Sequence, residues 1–243
     1  MIFQENSFSN LTIRTIGQKE IYIFDIHNFA FPIWALAKDF ENPPELVTLD
    51  THADTREFLN IHFRKKYPNA SNKEILELRK KRLFEIDVKN YESVLKGTLE
   101  IANDEHITAA QELGIISTVH SINHSLHDSK DGEIKFYCSL RIPAEDVLPH
   151  NFKPNKWFVE NCLEDEFFEK IGFKTPVSKF ILDIDCDYIT KEEALCPKNI
   201  EVFSELVRKC ELITIAREPS FCQNVRSEKI EKRLLEIISE ILG

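Results

Sequence analysis

The sequence predicts a three-layer α/β/α fold built on a mostly parallel central sheet. Short β-branched and aromatic runs alternate with amphipathic helical stretches along the chain, the pattern of helices covering a sheet. Three of those runs are apolar on both faces, as strands buried on both sides are. The same three end in acidic or His residues, and open α/β sheets bind ligands at the carboxyl ends of their strands. No Pro/Gly/Ser-rich linker, fixed-period repeat or low-complexity tract divides the 243 residues, so a single domain over 1–243 is expected.

The first strand run is Ile21-Tyr-Ile-Phe24, ending in Asp25-Ile-His27. Phe31 and Trp34 follow it and read as helix-packing residues. Leu46-Val-Thr-Leu49 comes after Pro43-Pro44 and runs into Asp50-Thr-His52-Ala-Asp54. A helix over Asn72–Phe84 carries Ile75, Leu76, Leu78 and Leu83 among Lys, Arg and Glu. A helix over Asp104–Leu113 opens on acids suited to its N-terminus, and Gly114 is placed to stop it. Ile115–Ile122 and Glu133–Leu140 are strand candidates, the second after an Asp131-Gly132 turn. Phe180-Ile-Leu182 leads into Asp183-Ile-Asp185-Cys-Asp187. A helix over Ile200–Cys210, a strand over Leu212–Ala216 and a helix over Ser227–Leu242, with Ser227 as its cap, complete the series.

Composition narrows the function. A formal net charge of −10 disfavours nucleic acid and anionic membrane as partners and suits a cationic substrate or a metal. The basic stretch Arg64-Lys-Lys66 with Arg79-Lys-Lys-Arg82 therefore reads as a solvated helical face. The six cysteines form no CxxC pair, Met1–Asn10 has no signal-peptide pattern, and no apolar run approaches ~18 residues. Free thiols in a reducing cytoplasm are expected.

The chemistry gathers in two segments. Asp50-Thr-His52-Ala-Asp54 has potential metal ligands at alternate positions, so extended backbone puts all three on one side. Asp183-Ile-Asp185-Cys-Asp187 repeats the spacing with carboxylates, and His27 lies at another strand end. So many carboxylates in a dry pocket must spread into solvent, take up protons or neutralise a cation. The set suits two divalent ions ~3.5–4 Å apart, with hard oxygens favouring Mn²⁺ over Zn²⁺. Alternation points Cys186 away from them.

These residues resemble the metal motifs of the arginase/ureohydrolase superfamily: the D-x-H-x-D of Asp50–Asp54, the D-x-D of Asp183–Asp185 and an upstream strand-end His. The wording Phe24-Asp-Ile-His27-Asn28, Leu49-Asp-Thr-His52-Ala-Asp54 and Leu182-Asp-Ile-Asp185 looks closer to a divergent arginase-like family. That family includes peptide arginases, which convert arginine to ornithine in ribosomally made peptides. With the strand-helix order, the likeness spans Ile21–Leu242. It implies one Mn²⁺ held by His27, Asp50, Asp54 and Asp183, and a second held by Asp50, His52, Asp183 and Asp185. It implies further that a metal-bridging hydroxide, oriented by Asp54, attacks the guanidinium carbon and releases urea. Asp187 has no counterpart among the family's ligands and is expected to be an outer or structural residue. The chain departs from typical arginases in lacking the Gly-Gly-Asp-His-Ser motif, the His-Gly-x-Pro loop and the Asn/Ser pattern that grips a free α-carboxylate. An arginine presented within a precursor peptide fits those departures.

Glu218, just past Leu212–Ala216, is the candidate for pairing the guanidinium, with a solvated loop acid or an Arg217 partner as the alternative. Asp104 is a second candidate substrate contact, although Asp104 and Glu105 first read as helix-start residues. Among His106, His120, His124 and His127, His124 is the best placed to shuttle a proton to the leaving amine, against the alternative of a surface or packing role. Two other functions stay open. One is hydrolysis of another cationic guanidino or acylated-amine molecule, and the other is a metal-binding module without catalysis.

Overall fold

The computed structural model describes residues 10–36, 41–124, 134–138 and 156–243. His127, the Asp131-Gly132 turn, the flanks Glu133, Ser139 and Leu140, and all of Met1–Asn10 but its last residue lie outside the described residues. The fold is three-layer α/β around a seven-stranded sheet of order β1-β2-β7-β6-β3-β4-β5. Its strands are β1 (Thr12–Ile16), β2 (Lys19–Phe24), β3 (Glu45–Asp50), β4 (Val119–Asn123), β5 (Ile134–Cys138), β6 (Phe180–Asp185) and β7 (Leu212–Ala216). Every neighbouring pair is parallel except β1 with β2.

The helices are α1 (Ala30–Leu36), α2 (Asn60–Lys66), α3 (Asn72–Phe84), α4 (Tyr91–Thr98), α5 (His106–Glu112), α6 (Lys156–Glu160), α7 (Asp165–Ile171), α8 (Glu201–Lys209) and α9 (Ser227–Leu242). Short 3-10 helices cover His27–Phe29, Cys186–Tyr188 and Glu192–Leu195. The described chain divides into two compact units. One is Met1–Asp25, Glu45–Ala53 and Thr118–Gly243; the other is Ile26–Pro44 and Asp54–Ser117.

The first unit holds the sheet. Alternation sends Val47, Leu49, Leu182, Ile184, Ile213 and Ile215 into one core cluster with Phe167 and Phe168 of α7, Phe203 and Leu206 of α8 and Leu234 and Ile238 of α9. The intervening positions carry a different chemistry. Thr48, Asp50, Ser121, Asn123, Asp183, Asp185 and Thr214 are all buried, and all are polar. From β3 the strands proceed through β4 to β5 in one direction, while β6 and β7 lie on the other side. The adjacent strands β3 and β6 are therefore a topological switch point, where open α/β sheets bind ligands.

The second unit is helical. α1 packs against α4 and α5. α3 begins with a capping box, in which Ser71 and Glu74 satisfy each other's backbone N–H groups. Arg64 bonds Asn60 and Asn72, and the Arg82 guanidinium grips Glu100, so this basic stretch is tied internally. Glu105 occupies the N-cap position of α5 but caps a different helix. Its carboxylate accepts from the backbone N–H groups of Leu59 and Ile61, where α2 starts, and of Ala102.

Several boundaries differ from the sequence reading. β4 begins at Val119, because Ile115–Thr118 is irregular after Gly114 takes a left-handed φ of 61° to stop α5. Ser227 is the first residue of α9, not its cap. Arg226 holds the cap position and makes no side-chain cap bond. β1 was invisible to apolar patterning, since Thr12, Arg14 and Thr15 face outward or lie half-buried at an edge.

Candidate metal centre

In the first unit, β3 ends at Asp50 and β6 ends at Asp185. Asp50, His52 and Asp187 each offer a ligand atom, all within 4.8 Å of one another. Asp50 is fixed by its own turn, Oδ1 accepting from the His52 backbone N–H at 2.7 Å. His52 Nδ1 lies 3.7 Å from that oxygen and 3.1 Å from Asp187 Oδ2. Half of the His52 side chain is exposed, with Phe221 edge-on to its ring at 6.2 Å, whereas Asp50 and Asp187 are buried. Thr51 binds Asp187 twice, through its N–H to Oδ1 and its hydroxyl to the main-chain oxygen.

Asp187, expected to be an outer or structural residue, has a carboxylate oxygen in the same group as Asp50 and His52, which could hold a metal ion. The strand stops at Asp185, whose Oδ1 accepts from the Asp187 N–H at 2.9 Å and caps the 3-10 helix Cys186–Tyr188. That turn, rather than strand alternation, aims Asp187. Cys186 is fully buried in the core cluster, away from this set as alternation predicts.

Asp183 is held on both sides by register. Thr48 of β3 and Thr214 of β7 are its cross-strand neighbours, and their hydroxyls donate to Oδ2 at 2.9 Å and Oδ1 at 2.6 Å.

In the second unit, His27, Asp54 and His106 form another group whose ligand atoms lie within 4.8 Å. His27 Nδ1 is 3.1 Å from Asp54 Oδ2, and His106 Nδ1 is 3.9 Å from it. The two imidazole centroids are 4.4 Å apart, and Trp34 lies 5.3 Å from the His106 ring. His106 Nδ1 is 2.7 Å from the main-chain oxygen of Asn103. A carbonyl only accepts, so Nδ1 carries the proton and Nε2 the lone pair. Asp54 has φ 48°, a left-handed backbone that Asp tolerates better than most residues. Sequence reasoning counted His106 among the proton-shuttle candidates. As the first residue of α5, it carried no spacing signal that would have joined it to His27 and Asp54.

Glu218 is buried and has φ 39°, sharp backbone for a residue with a long side chain. Its N–H donates to Asp25, and its carbonyl accepts from Phe221 and Cys222. Arg217 beside it pairs with Asp25 at 2.9 Å and Glu231 at 2.6 Å. The Cys222 thiol is pushed up to about 12, by burial first and then by Asp185, Asp187, Glu218 and Glu228. Carboxylates thus dominate the field around this turn.

The remaining candidates are placed elsewhere. Asp104 pairs with Arg56 at 3.0 Å. His120 lies toward the opposite end of the sheet, with Nε2 2.5 Å from Glu45 and Nδ1 3.3 Å from the Tyr137 hydroxyl. His124 is buried just past β4, stacked on Tyr188 with centroids 4.6 Å apart. Burial pulls its pKa down to about 4, outweighing the Tyr188 carbonyl and the Asp187 charge, so it is neutral at pH 7. No protein-family model matches this chain, and no curated protein matches it.

The donor sets fit a divalent cation. Four carboxylates, on Asp50, Asp183, Asp185 and Asp187, are at most 5% exposed in one unit, and a buried charge of that density calls for a compensating cation. One set is mostly carboxylate with a single imidazole, and the other pairs two imidazoles with one carboxylate. Buried His and Asp groups able to hold a metal ion are therefore features of this protein.

Proposed function

We propose that the chain is a manganese-dependent hydrolase of the arginase-like kind, which uses two Mn²⁺ ions to convert arginine within a peptide to ornithine and urea. The observation that carries the reading is the Asp50–His52–Asp187 group, with buried Asp183 and Asp185, at the carboxyl ends of the two switch-point strands. The His27–Asp54–His106 group of the second unit supports it. Bound divalent ions supply Lewis-acid activation of water at neutral pH.

The chain's own residues supply the rest. Glu218, fixed by the turn that follows β7, pairs with the guanidinium and orients the scissile C–N bond. Within the second unit, Asp54 Oδ2 lies 3.1 Å from His27 Nδ1 and is that unit's carboxylate able to take a proton from a metal-bound water. His124 is neutral at pH 7, so it passes a proton to the leaving amine only after taking one up. The free cysteines accord with work in a reducing cytoplasm.

The test is urea release from a panel of arginine-containing peptides and from free arginine, with and without Mn²⁺, beside the His52→Ala protein. Mn²⁺-dependent urea from peptides, lost in the variant, is the expected result. Two bound metals with no urea from any peptide would sink the assignment to arginine.

A further inference from the structure

His124 is 3% exposed, and its Nε2 lies 3.2 Å from the main-chain oxygen of Tyr188. That oxygen can only accept, so Nε2 carries the ring proton and Nδ1 is left as a bare lone pair. Among the described residues nothing donates to Nδ1. A parallel stack on Tyr188, 6° from coplanar, and an edge contact with Phe167 at 6.2 Å hold the ring in this pose. Leaving a buried acceptor unmade is unfavourable, and burial also opposes the alternative of protonating the ring.

The residue before it repeats the pattern. The Asn123 amide nitrogen donates to Ser121 Oγ at 3.0 Å, while Oδ1 receives nothing among the described residues. Asn123 is the cross-strand partner of Asp50. Both open acceptors therefore sit at the end of the sheet that carries Asp50. Two adjacent buried acceptors without donors are complementary to a ligand rich in N–H groups, and they repel one that offers only acceptors.

We propose that Asn123 Oδ1 and His124 Nδ1 receive N–H groups of the bound ligand, selecting guanidinium-like groups and rejecting phosphates, carboxylates and esters. Taking that ligand to be the arginine guanidinium rests on the function proposed above. The acceptor geometry stands without it. His124 then positions the substrate through Nδ1, the same lone pair by which it would take up a proton before passing one to the leaving amine.

The experiment has two arms on the full-length protein. Side-chain ¹⁵N NMR of the Mg²⁺-loaded protein follows His124 during titration with guanidinium chloride, at concentrations well below denaturing, and separately with acetate. The expected result is an unprotonated Nδ1 at pH 7 that guanidinium shifts and acetate does not. A protonated Nδ1, or equal response to both ions, overturns the proposal. The second arm measures urea release by His124→Phe, which keeps the stack and removes the acceptor, and by Asn123→Ala. The KM for an arginine peptide is expected to rise about tenfold or more in each, as the loss of a buried hydrogen bond implies. An unchanged KM with urea still released overturns this proposal and leaves the function standing. No urea from any peptide, with the guanidinium shift observed, does the reverse.

Discussion

At the scale of single residues, His52 is the candidate ligand that can be removed with least harm to the fold. Half of its side chain is exposed, while Asp50, Asp183, Asp185 and Asp187 are buried. His52→Ala should shift unfolding by no more than about 0.5 kcal/mol. It should weaken metal binding by at least the roughly 10–100-fold that loss of an outer-sphere partner costs. Thermal melts and metal titration of the same sample check both, and an unaltered metal affinity would remove His52 from the site. His124 predicts a pH dependence. Its pKa is about 4 when folded against 6.5 ordinarily, so as pH falls below 6.5 the unfolded chain takes up the proton first. Its contribution is intact above pH 6.5 and lost as pH falls toward 4. At about 1.36 kcal/mol per pH unit, that loss is roughly 3 kcal/mol. Urea midpoints for wild type and His124→Phe should converge or cross over this window; parallel curves would mean that the ring is not buried neutral.

At the scale of elements, Glu105 shows how a residue's neighbours decide its task. Its position suggested a helix start, yet its carboxylate serves three backbone N–H groups, two of them at the start of α2. Glu105→Ala should destabilise the protein by roughly 3–5 kcal/mol, because three buried or part-buried backbone donors lose the carboxylate that accepts from them. Glu105→Gln should recover part of that. Denaturant unfolding of the two variants measures the difference, and an Ala variant within 1 kcal/mol of wild type, on the order of a single exposed bond, would refute the capping role. β2, β3, β6 and β7 were legible because two-sided burial writes an uninterrupted apolar run. β1 was not, since an edge strand owes its structure to its antiparallel partner β2 rather than to its own burial. The extent of α3 and α9 was legible from amphipathic spacing, although the cap of α9 was not.

At the scale of the whole molecule, a metal that binds only the folded state must stabilise it. Mn²⁺ at a hundredfold excess over its Kd should add about 2.7 kcal/mol, raising Tm by about 5–10 °C for a chain of this size. EDTA should reverse the shift. Calorimetry showing no Mn²⁺ dependence would leave the acid cluster without its proposed counter-charge. Among the described residues no helix is long and apolar enough to cross a membrane. By itself the sequence determined the α/β class, the central strands and the carboxylate-rich segments at their ends, because those features follow from burial period and from local residue chemistry. Only the tertiary structure decided which of those groups meet. His106 joins His27 and Asp54 from a helix distant in sequence, Asp187 turns toward His52 through a 3-10 helix, and Thr48 and Thr214 clasp Asp183 across two strand registers. The physical reason is that ligand sets and hydrogen-bond partners depend on distances across the fold, and a linear pattern does not contain them.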